Sequence, residues 1–318
     1  MFKMLEVLLL ILGFILLIKG ADAFVNSSVG IAKRFKIPSV IIGLTVVAFG
    51  TSAPEMVVSI TASVRGSNAL AISNVIGSNI VNLLFVVGLC AMIKSMRVKI
   101  HELAKDFWFS ILAAALLLGI RFFSGETFPR MGSAALLVIF IIYMVILIRQ
   151  TLKSKNPEIT ESGEEAKKQR PLPVIILLTV LGCAAVVAGG QLAVDSAVKI
   201  AAAIGISERI IGLTIVAIGT SLPELATSLV ACKKCETDIA LGNVIGSNIF
   251  NLLLVLGSAG VISPLVFDKE LIFDTVVLIA GSLIVLLFSY TRKRITRGEG
   301  TVMVLMYAVY MTFIMWKI

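Results

Sequence analysis

Long apolar runs separated by short charged breaks constrain this chain more than any other feature of its sequence. Ten of these runs are close to the length of about 17–25 residues that a helix needs to cross a bilayer. They cover residues 4–26, 38–63, 68–93, 107–123, 130–149, 172–198, 208–231, 237–262, 269–290 and 300–317. With 58% hydrophobic and only 15% charged residues, the composition excludes a soluble globular protein. The sequence therefore predicts an all-α, polytopic membrane protein with ten transmembrane helices.

The basic residues are divided unequally between alternate breaks. One set of breaks carries 19 Lys and Arg residues, whereas the other set, which includes both termini, carries 8. The positive-inside rule therefore predicts that both termini lie outside the plasma membrane and that the longest break, residues 151–171, is cytoplasmic. This break is mostly polar and is expected to be a flexible linker. Because the net charge of +9 is spread over short breaks, we expect no nucleic-acid partner.

The chain also contains an internal repeat. An offset of 169 residues aligns residues 20–88 with residues 189–257 without a gap. Between 43–88 and 212–257, 25 of 46 residues are identical, which is far above what two unrelated apolar sequences share. The best-matched blocks are G-T-S-A-P-E against G-T-S-L-P-E, and N-V-I-G-S-N-I-V-N against N-V-I-G-S-N-I-F-N.

Each copy of the repeat contains five predicted spans. Because five is an odd number, the second copy must enter the membrane from the opposite side. We therefore expect an inverted pair of five-helix repeats, the first at residues 1–150 and the second at 172–318, joined by the linker. Substrate sites in such proteins lie near the membrane midplane between the two copies. The topology alone allows either a carrier or a channel.

Two carboxylates, Glu55 and Glu224, fall at equivalent positions deep within predicted spans. An ionised carboxylate at the centre of a membrane helix costs about 2.5–3.5 kcal/mol on insertion scales, so each one needs a compensating charge. The only basic residue inside a predicted span, Lys19, lies within one turn of Asp22 near a helix end, where the two are expected to pair. The expected partner of the glutamates is therefore a bound cation or a proton.

Oxygen-bearing side chains accompany each glutamate. Thr51 and Ser52 precede Glu55 by four and three residues and so share its helix face, while Ser78 and Asn82 lie four residues apart on the next span. Oxygen donors of this kind suit Ca²⁺ and Na⁺, whereas zinc or copper would call for Cys or His.

Two prolines, Pro54 and Pro223, precede the glutamates and predict helix kinks. A proline lacks the N–H group and crowds the carbonyl four residues earlier, so the kinks are expected near Gly50 and Gly219. Backbone carbonyls released at such a break are tolerated inside a membrane only where they line a cavity or bind an ion.

The sequence lacks the motifs of an enzyme or of a resident cofactor. The C-x-x-C at Cys232 and Cys235 has no partner cluster to complete a zinc site. An intramembrane hydrolase is disfavoured because no G-x-S-x-G, H-E-x-x-H or Asp pair is present. We expect no catalytic residues, no cofactor and no obligatory protein partner.

The G-T-S-x-P-E block, followed about twenty residues later by the N-V-I-G-S-N-I-x-N block, resembles the alpha repeats of the sodium/calcium exchanger family within the calcium:cation antiporters. The resemblance covers both repeats and the ten-span plan. The short central break is similar to that of prokaryotic members, which lack the large calcium-sensing domain of animal exchangers.

This resemblance implies a calcium site formed by Glu55 and Glu224 with oxygens of Thr51 and Thr220. It implies flanking sodium sites formed by Ala48, Ser52, Glu55, Ser78, Asn82, Ala217, Ser221, Glu224, Ser247 and Asn251, with the alanines contributing their carbonyls. Some family members have Asp in place of one of the two Asn residues, so the resemblance does not extend to a third carboxylate.

The expected function is exchange of Na⁺ for Ca²⁺ across the lipid bilayer by alternating access, with an electrogenic ratio of three Na⁺ to one Ca²⁺ implied by the family. The nearest alternatives are a Ca²⁺/H⁺ antiporter and a K⁺-dependent calcium antiporter. A calcium channel is the alternative from another class of protein.

Overall fold

A computed structural model of the protein describes residues 2–153, 170–205 and 217–317, which are almost entirely helical. The helices of the first copy are α1 (Phe2–Phe35), α2 (Ser39–Thr51), α3 (Ala53–Val64), α4 (Asn68–Ile93), α5 (Ile100–Ser124) and α6 (Arg130–Lys153). Those of the second copy are α7 (Leu172–Ala203), α8 (Ala217–Gly219), α9 (Leu222–Lys233), α10 (Thr237–Ile262), α11 (Lys269–Arg292) and α12 (Arg297–Lys317).

The prediction of an all-α multi-pass protein is confirmed. In the described part of the chain, eight helices are long and apolar enough to cross a membrane, and the broken pair α2–α3 makes a ninth candidate. The tenth predicted span, 208–231, begins outside the described residues and ends in α9, so the count of ten stays a prediction. Most of the predicted linker, from 154 to 169, also lies outside the described residues, and the division into two repeats stays a prediction with it.

The first helix is longer than the predicted span, because it continues beyond residue 26 to Phe35. The polar residues Asn26, Ser27 and Ser28 ended the apolar run in the sequence. In the structure the hydroxyl of Ser27 donates to the carbonyl of Ala23 at 2.8 Å, one turn earlier. A serine bonded in this way satisfies its own hydroxyl, so it does not end a helix.

Four short strands, which the sequence did not predict, link the two copies: β1 (Met96–Arg97), β2 (Thr127–Phe128), β3 (Leu265–Val266) and β4 (Arg294–Ile295). β1 pairs antiparallel with β4, and β2 pairs antiparallel with β3. The repeat offset makes β3 the equivalent of β1, yet α5, about 37 Å long, separates β1 from the β2–β3 pair. Equivalent strands therefore lie at opposite ends of the molecule, which supports an inverted repeat.

The centre of the molecule is formed by α4 and α10. Within their most apolar windows, 72% of α4 and 94% of α10 is buried, compared with 28% of both α1 and α7. The breaks between α2 and α3, and between α8 and α9, lie next to these central helices. The polar blocks of the two repeats are therefore brought together away from lipid.

Helices α1 and α7 pack against each other along a row of glycines. Gly13 and Gly20 of α1 are the repeat equivalents of Gly182 and Gly189 of α7. A Cβ atom at Gly189 would lie 2.5 Å from the backbone nitrogen of Leu17, so the two backbones approach too closely for any side chain there. Small residues of this kind allow close helix packing within a membrane.

We expect Gly189→Ala to force α1 and α7 apart and to destabilise the protein by about 1–3 kcal/mol, as overpacking does in a tight core. Thermal unfolding in detergent measures the change. Gly119→Ala on α5 is the matched control, because no described atom lies within 4 Å of the Cβ atom it would add. Equal melting temperatures for the two variants would contradict the close packing of α1 and α7.

Candidate cation-binding site

The predicted kinks are present as breaks in the helices. α2 ends at Thr51, Ser52 takes a non-helical turn conformation, and α3 begins at Ala53 with its axis turned by 46°. Pro54 lies in the first turn of α3, where a missing N–H costs nothing. In the second copy α8 ends at Gly219, and α9 begins at Leu222 with Pro223 in its first turn.

The breaks place both glutamates in the first turn of a helix, Glu55 in α3 and Glu224 in α9. Both side chains are completely buried, and in the described part of the chain neither forms an ion pair. Ser52, three residues before Glu55, donates to Glu224 at 3.2 Å, so the two carboxyl groups share one buried site, where an unpaired charge is costly. The partial positive charge of each helix N-terminus offsets only part of this cost. The site therefore holds two buried carboxyl groups without a basic partner among the described residues.

The two carboxylates differ in their hydrogen bonds. Oε1 of Glu224 accepts from the hydroxyls of Ser52 at 3.2 Å and Ser247 at 3.3 Å. Both oxygens of Glu55, and Oε2 of Glu224, have no hydrogen-bond partner in the described part of the chain. The repeat equivalents of the two donors are Ser221 and Ser78, but the Ser221 hydroxyl is unpartnered and Ser78 pairs elsewhere.

The hydroxyl residues form two equivalent pairs, and each pair joins one residue of the first copy to one residue of the second copy. Thr51 Oγ1 lies 3.4 Å from Ser247 Oγ, and the equivalent pair, Thr220 Oγ1 and Ser78 Oγ, is 3.3 Å apart. The predicted calcium and sodium ligands of one copy therefore contact those of the other copy. Residues that lie 196 and 142 positions apart in the chain therefore share one site.

The predicted asparagine ligands lie in π-helical turns of the central helices. Asn82 belongs to the turn Val81–Val86 of α4, and Asn251 belongs to Phe250–Val255 of α10. Such turns are frequent at functional sites. Neither polar atom of the Asn82 side chain has a hydrogen-bond partner in the described part of the chain, and the carbonyl oxygen of Asn251 is also unpartnered.

The Ala48 carbonyl, a predicted sodium ligand, accepts hydrogen bonds from the backbone N–H of Ser52 at 3.0 Å and from the hydroxyl of Thr51 at 3.4 Å. It is therefore not left free by the helix break. Its counterpart, Ala217, is the first residue of α8. The sodium role of both carbonyls stays a prediction.

A second layer of polar residues surrounds the predicted ligands. These residues were not assigned to the site from the sequence. Asn243 accepts a hydrogen bond from Thr51 at 3.0 Å and donates one to Ser228 at 3.0 Å. In the other copy, Asn74 donates to Ser59 at 3.1 Å. The sequence contained a signal that could have identified them, because each of these residues is identical in the two copies of the repeat.

The donor set indicates the chemistry of the ligand. Among the predicted ligands, those with unpartnered buried side-chain oxygens are Glu55, Glu224, Asn82, Ser221 and Asn251. Among the described residues, no group of three or more His, Cys, Asp or Glu side chains could hold a metal ion. Carboxylate, amide and hydroxyl oxygens without sulfur or imidazole favour hard cations over transition metals.

A cavity of about 370 Å³ opens on one face of the molecule and reaches the edge of this site at Thr220. We call it the open vestibule; it extends from Pro54, Thr220 and Pro223 along α7 to Lys199. The equivalent of Thr220 in the other copy, Thr51, is completely buried. The α7 side is therefore open as far as Thr220, whereas the equivalent approach to Thr51 beside α1 is closed, and both carboxylates stay buried.

The chain is similar over almost its whole length to known membrane transporters. A family model described as sodium/calcium exchanger protein matches residues 5–149 and 174–316. The putative antiporter CaxA of Alkalimonas amylolytica is 40% identical over 306 residues, covering 94% of this chain and 95% of that protein. The sodium/calcium exchanger MaX1 of Methanosarcina acetivorans is 34% identical over 338 residues, covering 96% and 97%.

A solved structure matches as well. The sodium-calcium exchanger NCX_Mj, soaked with 2.5 mM Na⁺ and 0.1 mM Ca²⁺, superposes with a TM-score of 0.83 at 34% identity and covers 97% of this chain and 98% of that chain. The fold and the site define a multi-pass membrane antiporter of cations that include Ca²⁺. The chain belongs to the sodium/calcium exchanger family.

We expect Glu55→Gln to raise the melting temperature in ion-free detergent and to abolish the further rise that Ca²⁺ produces. The substitution removes an uncompensated buried charge, which is costly, and also removes a ligand. Ca²⁺ at a hundredfold excess over its Kd should stabilise the unsubstituted protein by about 2.7 kcal/mol. Glu270→Gln, at a carboxylate that is 76% exposed, is the control and should keep the Ca²⁺ response. A full Ca²⁺ response in Glu55→Gln would exclude Glu55 as a ligand.

Proposed function

We propose that this protein exchanges Na⁺ for Ca²⁺ across the membrane. One observation carries the proposal: Glu55 and Glu224 are buried together, with unpartnered oxygens and without a basic residue among their described partners. A single Ca²⁺ neutralises both charges. The names of MaX1 and of NCX_Mj support Na⁺ as the counter-ion.

In this proposal, Ca²⁺ is bound by Glu55 and Glu224 with oxygens of Thr51 and Thr220. Na⁺ ions occupy overlapping positions formed by the same carboxylates together with Ala48, Ser52, Ser78, Asn82, Ala217, Ser221, Ser247 and Asn251. Because the two ions share ligands, they compete, and binding of one excludes the other. The hydroxyl pairs between the copies hold these ligands together at the interface.

The electrostatic cost of an empty site explains why the protein would exchange ions and would not let them leak across the membrane. Two carboxylates about 5 Å apart repel by roughly 3 kcal/mol at an effective dielectric constant of 20. An empty site is therefore poorly suited to passing through a closed state, whereas a loaded site is neutral or carries a small charge. In our proposal α1 and α7 move together across the central helices and expose the site to each face in turn.

We further propose a ratio of three Na⁺ to one Ca²⁺, which moves one net positive charge per cycle. We also propose that the protein lies in the plasma membrane, with both termini outside and the residues after α6 in the cytoplasm. The 19 to 8 division of basic residues supports this orientation. In that orientation, the open vestibule faces the outside.

The exchange is tested in proteoliposomes. Vesicles loaded with Na⁺ should accumulate radioactive Ca²⁺ from a Na⁺-free medium, and Glu224→Gln should reduce the initial rate at least a hundredfold because it removes a central ligand. Glu270→Gln, on the exposed surface, should retain the rate of the unsubstituted protein. Undiminished uptake by Glu224→Gln would falsify the assignment of the site.

The choice of counter-ion separates the alternatives in the same vesicles. Uptake that is driven by a pH gradient in Na⁺-free buffer would indicate a Ca²⁺/H⁺ antiporter instead. Uptake that needs both Na⁺ and K⁺ inside would indicate a K⁺-dependent exchanger. Uptake without any counter-ion gradient, accompanied by single-channel currents, would indicate a calcium channel.

A ratio of three to one makes the equilibrium depend on voltage. One charge moved across 100 mV is worth about 2.3 kcal/mol, which changes the Ca²⁺ accumulation ratio at equilibrium about 50-fold. We expect this shift when a K⁺ diffusion potential of 100 mV is imposed with valinomycin at fixed Na⁺ concentrations. An accumulation ratio that ignores the potential would instead indicate electroneutral exchange of two Na⁺ for one Ca²⁺.

A further inference from the structure

The helices α1 and α7 each carry an acid and an amide one turn apart near the mouth of an access route. On α1, the Asn26 amide donates to Asp22 at 3.2 Å; on α7, the Gln191 amide donates to Asp195 at 2.8 Å. The repeat offset makes Asp22 equivalent to Gln191, and Asn26 equivalent to Asp195. The two mouths therefore have the same pair of groups in the opposite order.

At the closed mouth, this pair is held by a lysine. Lys234 Nζ lies 2.6 Å from the Asp22 carboxylate and 2.5 Å from the Asn26 side-chain oxygen. The ion-pair partner of Asp22 is thus Lys234, rather than the nearby Lys19 that the sequence suggested. Lys234 belongs to the turn between α9 and α10, so the contact ties α1 to the part of the molecule that contains the ion site.

At the open mouth, the equivalent contact is absent from the described part of the chain. Asp195 lines the open vestibule and accepts a hydrogen bond from Gln191 alone among the described residues. Lys199, one turn further along α7, pairs instead with Glu6 of α1 at 3.3 Å. The carboxylate of Asp195 is therefore not capped by a basic residue in this conformation.

The repeat supplies a basic residue for this carboxylate. Arg65, the equivalent of Lys234, lies in the turn between α3 and α4, is exposed, and forms no ion pair in the described part of the chain. The following residues, Gly66 and Cys235, both have left-handed backbone conformations, with φ of 77° and 66°. The two turns therefore have the same local shape and present Arg65 and Lys234 in the same way.

We propose that these two basic residues are alternating caps of the access routes. Lys234 holds Asp22 while the route beside α1 is closed, and Arg65 holds Asp195 in the opposite conformation, when the route beside α7 is closed. The inference rests on the proposed antiport function, because only a carrier that alternates between two faces needs both contacts. Arg65, Asp195, Asp22 and Lys234 are thus gating residues that do not touch the transported ion in the central site.

The proposal predicts opposite effects for two similar substitutions. Lys234→Gln weakens the conformation described here, whereas Arg65→Gln weakens the opposite conformation. Each should shift the equilibrium between the two conformations by up to about fivefold, the size expected of a partly exposed ion pair. A substitution that only destabilises the protein in general would not shift this equilibrium in opposite directions at the two positions.

The equilibrium is measured by the rate at which a maleimide labels a thiol introduced on either route. Val198→Cys reports on the open vestibule, and its repeat equivalent, Val29→Cys, reports on the closed route. The four native cysteines are first replaced, three by alanine and Cys235 by glycine, the residue found in the other copy. Labelling is done in detergent without Na⁺ or Ca²⁺, so its result does not depend on which ions are exchanged.

We expect Lys234→Gln to slow labelling at Val198→Cys and to speed it at Val29→Cys, and Arg65→Gln to do the reverse. Lys233→Gln is the matched control, because this neighbouring lysine is exposed and has no ion pair in the described part of the chain. An Arg65→Gln variant that labels like the unsubstituted protein, or that shifts in the same direction as Lys234→Gln, would overturn the proposal.

A variant in which the two charged residues are swapped separates an effect on gating from a loss of folding. The double variant Asp22→Lys with Lys234→Asp restores an ion pair at the same place and should return both labelling rates to those of the unsubstituted protein. If the double variant shifts as far as Lys234→Gln, the contact has no gating role. Failure of the Na⁺-driven uptake assay with normal labelling shifts would refute the choice of ions while leaving the caps in place.

Discussion

Two carboxylates buried without a basic partner are the constraint on which the rest of this structure depends. A folded protein tolerates Glu55 and Glu224 in its centre only if something offsets their charge. Helix N-termini and serine hydroxyls offset part of it for Glu224, while both oxygens of Glu55 lack a partner in the described part of the chain. The remaining imbalance is the reason why we propose a bound cation at these residues.

The repeat places equivalent elements of the two copies on opposite sides of this site. Equivalent strands lie at opposite ends of the molecule, and equivalent hydroxyls meet across the centre. The copies have nearly the same chemistry but not the same conformation: Thr220 lines a cavity while Thr51 is buried. In our proposal the two inverted copies exchange these roles, so that one sequence encodes two access states. The glycine-lined contact packs α1 closely against α7.

Much of this architecture could be predicted from the amino-acid sequence, because it depends on local composition. Membrane helices need long apolar runs, so the spans are visible in the sequence, although the length of α1 was underestimated where serines bond to their own helix. Pro54 and Pro223 predicted the helix breaks through a local steric effect. The short strands and the partner of Asp22 were missed, since both depend on residues far apart in the chain.

By itself, the sequence determined that the chain spans a membrane, that it is duplicated, and that two carboxylates lie at matched depths without basic neighbours. These properties follow from residue types and their spacing along single helices. Only the tertiary structure decided which carboxylate is hydrogen-bonded, which hydroxyls meet, and which mouth is open. Such features depend on distances between helices of different copies, and two copies with nearly identical sequence can be distinguished only by how they pack.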